Sequence, residues 1–119
     1  MAPEMVRKDQ AIDGRSDMYS LGCLAYWLMT GRFVFSAQTP KDMLKAHLEE
    51  VPKPPSGLTT NRVDPELERI TMRCLAKNVG DRPASAWALR EELAQTGLAA
   101  PWSATGSGEW WARFDGNAA

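Results

Sequence analysis

Between Met18 and Met29 the chain reads MYSLGCLAYWLM, an uncharged run that one glycine does not divide into separate segments. Ser16 and Asp17 just before it suit a helix start with a favourable first-turn acid, and Thr30-Gly31 just after it suits a helix stop. The pattern predicts a helix from about Arg15 to Met29. Met18, Leu21, Ala25 and Leu28 make one stripe, and Tyr19, Cys23, Tyr26 and Trp27 occupy the remaining sides. A helix that is apolar all round has to be enclosed by protein.

The next pattern is different. Thr39-Pro-Lys-Asp42 combines an N-cap threonine, a proline at the first helical position and an acid at the capping-box position. Met43, Leu44, His47 and Leu48 then share one face, so an amphipathic helix is expected from about Pro40 to Leu48. VPKPPSGLTTN, Val51 to Asn61, holds three prolines and a glycine and reads as an extended connector. Asp64-Pro65 opens a third helix with Leu67, Ile70, Cys74 and Leu75 on its buried stripe. Asn78 to Arg82 breaks it, and a fourth helix is expected from Pro83 to Gly97 with Ala86, Leu89 and Leu93 facing inward. The tail carries Trp102, Trp110 and Trp111 and suggests one short helix near Glu109 to Phe114. Without a convincing strand pair, the expected class is all-α.

Composition narrows the functional classes. A chain of 119 residues with 44% hydrophobic and 24% charged positions suits a single core. With 14 Lys and Arg scattered among 15 Asp and Glu, there is no basic footprint for nucleic acid or anionic lipid. Cys23 and Cys74 lack CxxC spacing and the chain has a single histidine, His47, so neither a disulfide framework nor a zinc site is supported. The run from Met18 to Met29 falls short of the roughly 18 to 20 residues that span a bilayer, and the N-terminus lacks a basic-then-apolar signal pattern. A cytoplasmic location, with no membrane segment in this chain, is the expectation.

Four ordered landmarks then coincide. Ala2-Pro3-Glu4, Gly14 to Gly31 (GRSDMYSLGCLAYWLMTG), Cys74 to Pro83 (CLAKNVGDRP) and Ser85 to Leu93 (SAWALREEL) resemble, in order and spacing, the C-terminal lobe of a bacterial Ser/Thr protein kinase. The resemblance covers residues 1 to 95 and implies a partial kinase domain there, with 96 to 119 as a Trp-rich extension. It also implies that the helices correspond to F, G, H and I of that fold, and that Met1 stands where the family has an internal methionine just before the APE motif.

The resemblance implies roles residue by residue. Glu4 resembles the APE glutamate and Arg82 the arginine that meets it in a buried ion pair; read without the family, they are a surface glutamate and a loop arginine. Asp17 resembles the helix-F aspartate that holds the catalytic loop, and is otherwise an acid serving the helix dipole. Tyr19, Leu21, Gly22, Leu24 and Leu28 resemble the apolar pillar of the lobe, and both readings make them core. Met43, Leu44 and His47 lie on the helix resembling G, a docking surface in the family, although a lone histidine on an inner face more often packs than binds. Val34-Phe35 and Val79 depart from the family's usual prolines at those turns.

The residues that carry phosphoryl transfer in the family are a Gly-rich loop, a strand lysine with its glutamate, the HRD aspartate and the DFG aspartate. Gly106-Ser-Gly108 and Phe114-Asp115-Gly116 are not substitutes for them. The expectation is a truncated kinase lobe with no catalytic, cofactor-binding or metal residue of its own, ATP and Mg belonging to the full parent. Its partner would be a protein substrate or the missing kinase half, and its uncovered apolar surface would favour self-association. The alternative is a non-catalytic helical interaction module.

Overall fold

The computed structural model describes residues 2–7 and 13–97, and among them five α-helices and two 3-10 turns, with no strand. The chain is all-α, as the patterning indicates. The helices are α1 (Pro3–Arg7), α2 (Gly14–Thr30), α3 (Pro40–Glu49), α4 (Pro65–Cys74) and α5 (Ala86–Gln95). The 3-10 turns are Pro55–Gly57 and Val79–Asp81.

Local chemistry sets the boundaries. The Thr39 and Asp64 side chains cap α3 and α4 by accepting from Asp42 N–H and from Glu66 and Leu67 N–H, each with proline in the first turn. One cap and one start differ from expectation. α2 is capped by Asp13, whose carboxylate accepts from Arg15 N–H, so Ser16 lies inside the helix and is buried. α5 begins at Ala86 because Ser85 accepts from Ala88 N–H. Pro83 stays outside the helix and keeps Arg82 extended, at φ −84° and ψ 163°. α2 stops at Gly31, whose φ of 69° lets its N–H reach Trp27 O.

α2 is the central element. Ala2, Tyr19, Tyr26 and Leu75 form one buried cluster, with Met72 of α4 packed against it, and Met18, Ile70, Cys74 and Leu89 form another, so α4 and the residue that ends it contribute to both. Gly22 makes the close crossing possible: a Cβ there would stand 2.8 Å from Cys74 Cβ and 3.1 Å from two Leu75 atoms. At the far end of α2 the Tyr26 hydroxyl donates to Lys53 O at 2.7 Å, pinning the proline-rich connector, while Ser56 N–H donates to Glu68 on α4. Arg73 and Arg69 of α4 both meet Glu92 of α5.

Two burial expectations are corrected. Leu21, Leu24 and Leu28, expected in the core, are 42%, 51% and 68% exposed, because no described element lies against that side of α2. On α5 only Leu89 of the expected three is buried: Ala86 and Leu93 are exposed, since the short helix meets α4 along one narrow line. The short helix expected near Glu109 to Phe114, and the Trp-rich tail with it, lie outside the described residues. Among the described residues no helix is long and apolar enough to cross a membrane.

Candidate functional site

The most ordered polar assembly joins three distant parts of the chain. Arg82 Nη1 donates to Glu4 Oε2 at 2.6 Å and Nη2 donates to Oε1 at 2.9 Å, a two-pronged ion pair between side chains 0% and 2% exposed. The fork geometry of guanidinium and carboxylate favours this arrangement. Ser16 Oγ donates to the same Glu4 Oε2 at 3.0 Å. The remaining Arg82 donors go to backbone carbonyls: Nε to Ala76 O at 2.8 Å and Nη1 to Arg15 O at 3.1 Å. No buried side-chain nitrogen or oxygen among the described residues lacks a partner. A buried charge pair is tolerable only when satisfied in this way.

Burial alone would push the Glu4 carboxyl up. The hydrogen bonds and charge of Arg82, together with the helix backbone and Ser16, outweigh it and hold the group below its ordinary 4.5. Glu4 is therefore ionised at neutral pH. Its position follows from α1, a single turn whose Pro3 and Glu4 are both buried.

The assembly continues from Arg82 towards α3. Its guanidinium lies 4.9 Å from the centre of the Tyr19 ring, a cation–π contact. The Tyr19 hydroxyl is 2.7 Å from His47 Nδ1, to which it donates when the imidazole carries its proton on Nε2. The His47 ring meets Phe35 edge-on at 5.1 Å, and Lys77 Nζ sits 4.6 Å over the other partner of that contact, Phe35, while donating to Ala46 O. Burial pushes His47 down to about 4, helped by the nearby Lys77 ammonium, so the ring is neutral at pH 7. The same burial raises Tyr19 above the ordinary phenol value and lowers Lys77.

The structure thus brings Glu4, Arg82 and His47 into one contiguous set, through Ser16 and Tyr19. Asp17 is not part of it: the residue is exposed in the first turn of α2, with no hydrogen-bond partner among the described residues. Of the three α3 candidates, Leu44 is exposed, Met43 is half-buried and His47 is buried, and Met43 and His47 together line a cavity that also takes in Cys23, Phe33, Val34 and Phe35. Ser16 and the Tyr19–His47 pair were missed by motif reasoning. Their signal was a polar group at an inward helical position: Ser16, one turn before Tyr19, and the lone histidine on the inner side of α3.

No cluster of three or more His, Cys, Asp or Glu among the described residues could hold a metal ion. Cys23 and Cys74 are free thiols, Cys74 buried and pushed up to about 11 by that burial.

Comparison with known proteins places this geometry. The protein kinase domain family matches residues 1–102, and the chain belongs to that family. Its relatives are bacterial Ser/Thr kinases. It is 43% identical over 94 residues to the Serine/threonine-protein kinase pkn3 of Myxococcus xanthus, covering 78% of this chain and 17% of that protein. It is 38% identical over 93 residues to PknB of Mycolicibacterium smegmatis, covering 78% and 15%, and 36% identical over 94 residues to PksC of Streptomyces coelicolor, covering 76% and 17%. The chain therefore spans less than a fifth of the length of these relatives.

Proposed function

We propose that these residues are the non-catalytic base of the larger lobe of a cytoplasmic bacterial Ser/Thr protein kinase, whose whole activity is ATP-dependent phosphorylation of protein Ser/Thr. In this reading the Glu4–Arg82 pair anchors the end of the activation segment, α2 supports the catalytic loop through Asp17 and its apolar face, and α3 offers a docking face centred on Leu44 and Met43. The observation that carries it is the buried Glu4–Arg82–Ser16 assembly, which spends a desolvated ion pair on joining residue 4 to residue 82. Phosphoryl transfer itself needs positioned metal and a lysine on the phosphates, which would come from other kinase-domain residues.

A chimera tests this. The matched residues replace their counterparts in the Myxococcus kinase, and transfer from labelled ATP to a protein substrate is measured. Retained transfer in the chimera, lost with Arg82→Ala, is expected, together with no transfer by the 119-residue chain alone. An inactive but folded chimera, or transfer by the chain alone, overturns the reading.

The exposed Leu21, Leu24 and Leu28 favour a second reading, a non-catalytic module whose α2 face binds a separately supplied kinase half. Sedimentation of the chain with and without that half separates the two: a stable 1:1 complex supports the second reading, and its absence removes it.

A further inference from the structure

A groove of about 470 Å³ lies at the end of α2 remote from the Glu4–Arg82 pair, between the turn after α2 and the proline-rich connector. Its volume falls within the range of small-ligand sites. Tyr26 and Phe35 form its buried back, and Phe33 and Val51, 77% and 84% exposed, stand at its mouth. Aromatic and branched apolar area is thus left in water at one place.

The walls are set without a ligand. On one side Thr30 Oγ1 accepts from Arg32 N–H at 3.0 Å and donates to Tyr26 O, which fixes the turn that carries Arg32 and Phe33. On the other, the Tyr26 hydroxyl holds Lys53 O, and Gly57 N–H and Leu58 N–H donate to Pro54 O and Pro55 O. A pre-formed site loses little binding energy to ordering the protein.

Charge is placed unevenly around this apolar surface. Arg32 and Lys53 line the groove from its two walls, and neither is in an ion pair among the described residues. The acid among the described lining residues, Glu50, also acts on Lys77, which burial lowers and the Glu50 charge raises. Burial pushes the Tyr26 phenol up and the Arg32 charge pulls it back, so the guanidinium lies within electrostatic reach of the groove's back. A neutral apolar ligand would cover Phe33 and Val51 but take water from two cations without replacing it. A small inorganic anion would pair with the cations and leave the apolar area wet. A compact molecule with a ring and a carboxylate answers both.

We propose that the groove binds a small aromatic carboxylate, with its ring against Phe33 and Val51 and its carboxylate between Arg32 and Lys53. The site does not depend on the kinase reading above, since these four residues take no part in it.

For the test, the full 119-residue chain is titrated with naphthoate and, separately, with the neutral naphthalenemethanol, while amide chemical shifts are followed by NMR. Saturable shifts with naphthoate centred on residues 32–36 and 50–58 are expected, with the alcohol at least about tenfold weaker. Arg32→Gln with Lys53→Gln should bring naphthoate down to the level of the alcohol and leave the alcohol unchanged. Val51→Asp should weaken both. All three substituted side chains are exposed, and the same spectra report whether each variant is folded. Equal affinity for acid and alcohol, shifts centred on Leu21, Leu24 and Leu28, or no saturable shift would each overturn the proposal. So would a capped peptide of aspartate, tryptophan and aspartate that moves the same amides at least about tenfold more tightly than naphthoate, since the groove would then belong to a protein partner.

Discussion

The two sides of α2 invert the usual rule for a helix in a folded domain. On one side Ser16 and Tyr19 are buried, and they meet a carboxylate, a guanidinium and an imidazole. On the other, Leu21, Leu24 and Leu28 face outward with large exposed fractions. Hydrophobicity alone would have turned the leucines in. The polar side is covered because its hydrogen bonds are directional and need partners at fixed positions, which α1, α3 and the loop before α5 supply. The leucine side needs only apolar area, and none of the described elements provides it. Specific polar contacts therefore fix which way α2 faces, while non-directional contacts wait for whatever surface arrives.

The largest test of that contrast is Arg82→Ala. It strands Glu4 as an unpaired buried carboxylate and should cost about 3 to 5 kcal/mol, read as loss of a cooperative thermal transition or a large drop in denaturant midpoint. Glu4→Gln in the same background should recover part of the loss, because the uncompensated charge is gone. A drop below about 1 kcal/mol for Arg82→Ala would mean that the polar side does not set the packing.

Acid titration is next. His47 sits near 4 in the folded chain against 6.5 ordinarily, so the unfolded chain binds its proton first as the pH falls. The stabilisation from keeping the ring neutral is full above 6.5 and is lost between 6.5 and about 4, on the order of 2 to 3 kcal/mol. Glu4, lowered from 4.5, adds a further loss below that value, since its folded form holds the charge that acid removes. Urea melts of the parent and of His47→Gln, taken at pH 7 and pH 5, check the first step. The parent should weaken between the two and the variant should change little; parallel losses would contradict the assignment.

Gly22→Ala probes the crossing beneath both sides. Its methyl would press on Cys74 Cβ, too close to α4's backbone to swing aside, and should cost about 1 to 3 kcal/mol by overpacking. A neutral result would show that α4 can retreat. The smallest expected change in stability comes from Leu24→Glu with Leu28→Glu, within about 0.5 kcal/mol each as exposed positions. Their effect should appear in sedimentation, as reduced self-association of the chain. A loss of several kcal/mol would mean that the outer face is already covered.

Helix positions were legible in the sequence where caps and prolines mark them. Thr39-Pro40 and Asp64-Pro65 give the starts of α3 and α4, because the cap chemistry is local and needs no tertiary partner. The start of α2 near Arg15 was legible, but its capping residue was not, because Ser16 and Asp13 are both competent caps and only the presence of Glu4 shows that Ser16 has other work. The single turn of α1 has too few residues to show a period, and its burial depends on Arg82, distant in sequence. Glu4 and Arg82 were found through ordered motifs, not periodicity, since a pair so far apart leaves no local trace. The exposure of Leu21, Leu24 and Leu28 could not be read from the run itself: an apolar pattern states a demand for cover, and only the assembled neighbours state whether it is met.

The connector pinned by the Tyr26 hydroxyl also matters before the chain folds. Pro52, Pro54 and Pro55 restrict φ at their own positions and narrow the conformations of the residues before them. The disordered chain therefore has less freedom to surrender when Lys53 O meets Tyr26 and Ser56 meets Glu68. Two hydrogen bonds to the helices and two within the turn, from Gly57 N–H to Pro54 O and from Leu58 N–H to Pro55 O, hold a segment from which three backbone donors have been removed, because much of its ordering is written into the unfolded state.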